Sequence, residues 1–355
     1  MVQHIALRIL LSPIALIYGI VIGARNTLYQ IGLLRSSKFN LPVIGVGNLS
    51  MGGSGKTPHV EYLIRLLQPY INLGILSRGY LRKTTGYMEV MSGHGVDLTG
   101  DESLQYKLKY PDVIVSVSER RAIGIPQMIG DHPDLQTIIL DDAFQHLSVT
   151  PGLNLLVTDY KQPFFDDFLL PAGRLREWRR AYKRAQVIVV SKCPQDMTSE
   201  EMDKWVEKIK PTNEQKVFFS TYEYGKPYYM YDHRQKLELD ADTDVIMLTG
   251  IAKPIYVQEY LEDRVNFVNV HAYEDHHNFK PHEVSLVHRA LAELQSKKKV
   301  VITTEKDSTR LDKHRTFLQE KKIPIFILPI KVRFLEHKKH NFDEYIKDFL
   351  LKFRV

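Results

Sequence analysis

A single cysteine, Cys193, stands among 355 residues. That scarcity excludes an intrachain disulfide and a cysteine-built metal centre, and it suits a reducing compartment. A long unbroken hydrophobic run is also missing. Residues 9–24 are 16 uncharged positions rich in Leu and Ile, but Pro13, Gly19 and Gly23 interrupt them. A perpendicular membrane-spanning helix needs roughly 20. The expectation for residues 1–35 is therefore a membrane-surface anchor, with Arg8, Arg25, Arg35 and Lys38 placed for a headgroup layer. A cleaved signal peptide fits less well, because a nucleotide site immediately downstream would have no use outside the cytosol. A buried helix of the domain is the other alternative. Internal repeats and low-complexity tracts are absent.

The length exceeds what one core normally serves and implies two domains. A net charge of +6 points to anionic partners: nucleic acid, a phosphorylated substrate or anionic lipid. The strongest local signal is Asn48-Leu-Ser-Met-Gly-Gly-Ser-Gly-Lys-Thr-Pro58. An apolar run precedes it, and Val60, Leu63, Ile64 and Leu67 follow at helical spacing, so it lies in a strand-to-helix turn. Glycines there let successive N–H groups face one concavity, and the helix N-terminus adds its positive end. Residues Ser50, Met51, Gly52, Gly53, Ser54, Gly55, Lys56 and Thr57 are the candidate phosphate cradle. Lys56 would reach the β/γ-phosphates, and Thr57 would hold Mg²⁺. Ser50 stands where the strict pattern has Gly. A glycine-rich turn without a ligand is the bland reading.

Further strand-like runs begin at Asn72, Val113, Thr137, Asn154 and Ala185, separated by helix-compatible segments, as buried parallel strands require. Ligands then gather at the strands' carboxyl ends. The run at Thr137 ends in Asp141-Asp142, the acidic position that would orient Mg²⁺ in a phosphate-loop protein. Asp101, in Gly100-Asp-Glu102, reads locally as a helix N-cap. Residues 170–184 carry six basic side chains with Trp178 and Tyr182 among them, a pattern for gripping nucleic acid or a phosphorylated lipid, or a solvated basic face.

The aromatic run from Phe218 to Tyr231, broken at Gly225-Lys-Pro, reads as paired strands and marks the domain boundary. A second strand–helix series follows and closes with an amphipathic helix around Phe342, Tyr345, Ile346, Phe349 and Leu350. The expected layout is an α/β protein. An N-terminal hydrophobic helix occupies residues 1–35, and a layered phosphate-loop kinase domain with a mostly parallel sheet occupies 36–217. A two-stranded linker spans 218–241, and a smaller C-terminal α/β domain spans 242–355. His271-Ala-Tyr-Glu-Asp-His-His277 allows zinc, ordinary surface histidines or a general base set by a carboxylate. Thr304-Glu-Lys-Asp307 is a polar turn or a ligand contact. GTPase signatures are missing: Phe144 stands at the Asp-x-x-Gly glycine, and neither Ser191–Pro194 nor Thr304–Asp307 matches the guanine motif. A phosphotransferase suits the chain better.

Eight stretches occur in an order that resembles the tetraacyldisaccharide 4'-kinase family: the loop at 48–58, Ser77-Arg-Gly-Tyr80, Gly100-Asp-Glu102, Asp141-Asp-Ala-Phe-Gln-His146, Leu170-Pro-Ala-Gly-Arg-Leu-Arg-Glu177, Thr249-Gly-Ile251, Asp275-His-His277 and Thr304-Glu-Lys-Asp307. The resemblance implies transfer of the ATP γ-phosphate, with Mg²⁺, to the 4'-hydroxyl of an acylated glucosamine disaccharide 1-phosphate, at the cytoplasmic face of the bacterial inner membrane. It implies no nucleic acid and no obligate protein partner. By that pattern Lys56 and the loop amides hold phosphates, Thr57, Asp141 and Asp142 attend Mg²⁺, and Asp101 with His276 accepts the hydroxyl proton. Arg78, Arg121, Arg174, Arg176 and Glu177 would contact substrate. Leu81, Ala143 and Ala252-Lys253 depart from the family pattern and touch loop geometry rather than charge. Two rivals are a membrane-associated nucleotide switch with a protein partner and a nucleic-acid-binding ATPase.

Overall fold

A computed structural model of the chain describes residues 2–337 and 341–353, with side chains from residue 7 onward. The apolar runs form strands in chain order: β1 (Val43–Gly47), β2 (Leu73–Ser77), β3 (Met88–Glu89), β4 (Ile114–Val117), β5 (Thr137–Leu140), β6 (Leu153–Asp159), β7 (Val187–Ser191) and β8 (Lys216–Tyr224). The second series is β9 (Tyr228–Tyr229), β10 (Asp232–Lys236), β11 (Thr243–Thr249), β12 (Phe267–Ala272), β13 (Lys298–Thr304) and β14 (Ile325–Leu328), before β15 (Ile330–Leu335).

The first sheet has nine strands in the order β15-β8-β7-β6-β1-β5-β2-β4-β3. Every pairing from β8 to β4 is parallel, and an antiparallel strand closes each edge. Parallel strands covered on both faces read as continuous apolar runs, as these do. Leu155 faces the layer of Val60, Leu63 and Ile64 from the helix Lys56–Leu67, and its neighbour Leu156 faces the opposite layer with Ile188 and Val190. The second sheet has six strands in the order β10-β9-β14-β13-β11-β12, with β14, β13, β11 and β12 parallel. The α/β class with mostly parallel sheets and an N-terminal apolar helix is as the sequence indicates.

Two readings of the layout differ from the structure. Phe218–Tyr224 belongs to β8 in the first sheet and Tyr228–Tyr229 to β9 in the second, so the aromatic run is no paired linker. The break at Gly225-Lys-Pro is the crossing between sheets, and alternation alone does not tell a crossing from a hairpin. The end of the chain also returns to the first domain. Strand β15 pairs antiparallel with β8, Ile330 opposite Tyr224 and Leu335 opposite Phe219. The amphipathic helix forms at Phe342–Lys352, with Phe342 and Ile346 buried in the core beside Phe218 and Phe334. The second domain is thus inserted between two neighbouring strands of the first.

The N-terminal helix runs unbroken from Val2 to Gln30 with Pro13 inside it. Its glycines make a seat. A Cβ on Gly19 would lie 2.5 Å from the Trp178 ring, whose Nε1 donates to the Gly19 carbonyl at 2.7 Å. Tyr18 donates to the Arg176 carbonyl (2.8 Å), and Asn26 donates to Glu177 (2.6 Å). Ile9, Leu10, Ile14, Ile17, Ile20 and Val21 remain exposed. By length and composition, Leu7–Gln30 suffices to cross a membrane.

Candidate active site

The phosphate loop leaves β1 at the centre of the first sheet and enters the helix Lys56–Leu67. Gly55 precedes that helix at φ 99° with no side-chain cap, so the first-turn N–H groups stay available to an anion. A Cβ at Gly55 would sit 2.5 Å from the Tyr222 hydroxyl, so glycine is required on two grounds. Buried Asn48 braces the loop, its Nδ2 donating to the Ser50 carbonyl (2.6 Å) and Ser54 Oγ (2.9 Å). From outside, Met51 N–H donates to the Arg174 carbonyl at 2.7 Å and Arg176 N–H to the Leu49 carbonyl at 2.8 Å. The 170–184 segment therefore fastens the loop.

The acidic pair lies beside it. Lys56 Nζ is 3.5 Å from Asp142 Oδ1, and Arg176 is 3.0 Å from Oδ2. Burial works against the ionised form, but Lys56 and Arg176 together hold the Asp142 carboxyl well below the usual range. Asp141 has the opposite environment. Both its carboxylate oxygens are buried without a hydrogen-bond partner among the described residues. Burial, with Glu102 and Asp142 nearby, pushes it up to about 7. An orphaned buried carboxylate beside two other acids is what a bound cation resolves. Glu102 joins this corner, accepting from Thr57 Oγ1 at 3.1 Å.

Across the cleft, β11 and β13 end in the Thr249-Gly-Ile251 and Thr304-Glu-Lys-Asp307 motifs. Buried Asp307 knots them, accepting from Thr249 Oγ1 (2.7 Å), Gly250 N–H (3.0 Å) and Thr304 Oγ1 (2.7 Å). The knot holds the turn that presents His276, which sits in left-handed backbone at φ 60°; strain of this kind collects at functional sites. His276 Nδ1 lies 2.9 Å from Asp101 Oδ2, and the Tyr80 ring packs edge-on against the imidazole. On its other side, Nε2 is 3.1 Å from Lys306 Nζ. An ammonium only donates, so Nε2 accepts and Nδ1–H donates to Asp101. Lys306 also reaches Glu102 (3.2 Å) and Asp275 (3.5 Å). Burial opposes the charge on Asp101, yet Lys306, His276 and Arg310 hold its carboxyl below the ordinary range.

Lys56, Thr57, Glu102, Asp142, His276 and Lys306 line one cleft of about 560 Å³ between the domains, with Tyr18, Ile22 and Arg25 of the N-terminal helix at its border, while Asp101 and Asp141 are buried behind its wall. Of the expected substrate contacts, Arg78, Arg176 and Glu177 line it. Glu177 is fully buried and paired with Arg184 at 2.8 Å. Arg174 turns away to Asp167 at 2.9 Å. Arg121 is fully buried behind the acidic pair, donating to the Asp141 carbonyl at 2.8 Å, so it braces the corner rather than facing substrate. The histidine cluster disperses: His276 goes to Asp101 and His277 to Glu283, and no group of ligating side chains suited to a metal ion occurs there among the described residues. Trp178 is spent on the helix seat, and Tyr182 sets its ring against Phe164 with centroids 5.4 Å apart and its hydroxyl on the Lys210 carbonyl, so both aromatics of this segment serve packing.

Sequence reasoning missed Glu102 and Arg310 and left Lys306 open between a polar turn and a ligand contact. Arg310 shares its short helix with Lys306 but lies outside the Thr304–Asp307 motif, and only the fold sets its Nε 3.7 Å from Asp101.

The family model described as tetraacyldisaccharide-1-P 4'-kinase matches residues 7–350. The chain is 39% identical over 347 residues to the tetraacyldisaccharide 4'-kinase of Phocaeicola vulgatus, covering 96% of this chain and 95% of that one. It is 38% identical to that of Flavobacterium johnsoniae, covering 96% and 98%. The crystal structure of LpxK from Aquifex aeolicus in complex with ATP superposes with a TM-score of 0.73 at 28% identity, covering 98% of this chain and all of that one.

Proposed function

The chain belongs to the tetraacyldisaccharide-1-P 4'-kinase family, and from that premise we infer how its cleft carries out the transfer. The enzyme is an ATP-dependent lipid kinase of lipid A biosynthesis: it moves the γ-phosphate of ATP to the 4'-hydroxyl of a tetraacyldisaccharide 1-phosphate.

The loop amides and Lys56 take the β- and γ-phosphates, where Lys56 offsets charge gathering on the transferred group. Thr57, Asp141 and Asp142, with Glu102 beside them, are the residues to hold Mg²⁺, and the orphaned Asp141 oxygens support that assignment. When bound, the ion neutralises charge on the phosphate oxygens. His276 Nε2 takes the proton of the 4'-hydroxyl, and Asp101 stabilises the resulting imidazolium through Nδ1–H. The freed oxygen lone pair bonds to the γ-phosphorus, the bond from that phosphorus to the bridging oxygen breaks, and its electrons leave on ADP. Lys306 keeps Nε2 proton-free before the acceptor arrives.

The exposed apolar helix at the cleft border supports a membrane-surface position, which brings an acylated acceptor to the site without leaving the bilayer. ATP on the same side makes that surface the cytoplasmic one.

One observation carries the reading: a histidine of the inserted domain meets an aspartate of the loop domain at 2.9 Å over the phosphate cradle. The test supplies γ-labelled ATP, Mg²⁺ and detergent-solubilised tetraacyl disaccharide 1-phosphate, then separates the lipid. Label enters the lipid and is lost with Lys56→Ala. ATP hydrolysis with unlabelled lipid would overturn the reading.

A further inference from the structure

Away from the reacting groups, two carboxylates from opposite sides of the cleft share one ammonium. Lys109 Nζ lies 2.6 Å from Glu61 Oε2 and 2.7 Å from Glu305 Oε1. Glu61 is 2% exposed and Glu305 10%. Gln105 donates to the other Glu61 oxygen at 2.8 Å, and Arg65 stands 3.8 Å from the carboxylate.

The placement of these three residues matters more than their number. Glu61 lies in the helix that begins with Lys56 and Thr57, and Lys109 ends the helix that begins with Asp101 and Glu102. Glu305 is the neighbour of Lys306 in the inserted domain, beyond the end of β13. Each bears on a different part of the active site. Burial and the facing Glu305 push the Glu61 carboxyl up to about 7 even with Lys109 in place, so without Lys109 closing the boundary would set two like charges against each other or require Glu61 to take up a proton. With it, closing the domains is electrostatically favourable, and closing is what brings Lys306 and His276 to Asp101.

We propose that Lys109 is a positioning residue, a shared counter-ion that clasps the inserted domain onto the two phosphate-side helices and sets the register of His276 against Asp101. The inference rests on the active-site reading above, since the clasp serves a reaction run by that pair. Lys109 does not line the cleft, so its removal affects turnover and leaves the nucleotide cradle intact.

The experiment uses the full chain in detergent and measures kcat for lipid phosphorylation, ATP affinity by equilibrium binding, and the melting temperature. Lys109→Met lowers kcat by at least about tenfold while ATP affinity stays within about threefold. Lys109→Arg, which keeps the charge, retains kcat within about threefold. Adding Glu305→Gln to Lys109→Met raises turnover from the Lys109→Met level to that of Glu305→Gln alone, because it removes the repulsion without restoring the lost attraction. Unchanged kcat in Lys109→Met overturns the proposal. So does a loss equal in all three variants and matched by falls in melting temperature and ATP affinity, which is the signature of packing alone. Should Lys109→Met not fold, Glu305→Gln alone carries the test, since it leaves the Glu61–Lys109 pair in place: a kcat-only loss supports the clasp and unchanged kcat overturns it. A parallel Asp101→Ala arm reports separately on the active-site reading, whose failure would be full turnover in that variant.

Discussion

His276 Nδ1 and Asp101 Oδ2 stand 2.9 Å apart although 175 positions separate them in the chain. One comes from the inserted domain and the other from the start of a helix beside the phosphate loop. The pair exists only where the two domains meet, so the proposed proton-accepting group is built from both of them.

Replacing either member removes the pair's joint action. His276→Ala and Asp101→Asn each lower kcat by ~10²–10⁴-fold, with ATP affinity nearly unchanged, and the double variant is no slower than the slower single one. Steady-state kinetics with equilibrium nucleotide binding checks this; losses that multiply would mean independent roles.

Asp141 gives a prediction with two signs. Asp141→Asn weakens Mg²⁺-dependent ATP binding by about tenfold or more, measured calorimetrically. The same variant without metal melts higher than the parent at pH 8. The folded carboxyl titrates near about 7, above its unfolded value, so the parent loses stability as pH rises through that region. At pH 5 the advantage shrinks. A variant less stable than the parent at pH 8 would remove the orphaned-carboxylate account.

His59 makes the fold sensitive to acid. Its Nδ1–H donates to the Gly55 carbonyl at 2.7 Å, leaving Nε2 to accept from Ser220 at 2.9 Å, and burial holds it down to about 4. The unfolded imidazole takes its proton near 6.5, so the contribution is present above that pH and is lost as pH falls toward the folded value. Between pH 7 and 5 the loss amounts to about 2 kcal/mol. Denaturant melts at the two pH values should differ less in His59→Gln; an equal difference would assign the acid sensitivity elsewhere.

The exposed face of the N-terminal helix should govern membrane contact. Ile17→Asp with Ile20→Asp abolishes co-sedimentation with phosphatidylglycerol vesicles and leaves the melting temperature within about 2 °C, because surface substitutions away from packing contacts cost little. Full binding by the double variant would place the lipid contact on another surface.

Much of the first sheet was legible because buried parallel strands announce themselves as apolar runs, and the Lys56 loop because phosphate chemistry needs glycines before a helix. What failed was long-range partnership. Ile330–Leu335 alternates like any edge strand, and nothing local says that its neighbour is β8 rather than β14. Arg121 was a substrate contact by the family pattern, and burial puts it behind Asp141 instead. Asp101 reads as a cap by spacing, and only the family pattern raised it to a partner of His276. Lys109 carries no motif, and Glu305 stands in the Thr304–Asp307 motif without a role of its own; each is an ordinary charged residue until the fold sets them 2.7 Å apart.

The pairing of β8 with β15 also orders events during synthesis. When the ribosome has finished β8, the loop domain has every parallel strand it will have, but the outer edge of β8 is open, with unpaired N–H and C=O groups. Its covering strand is not made until Leu335, more than a hundred residues later. At ~5–20 residues per second that is an interval of roughly 5–20 seconds. Through that interval the nascent chain carries a sticky apolar edge that the whole inserted domain must be translated to close.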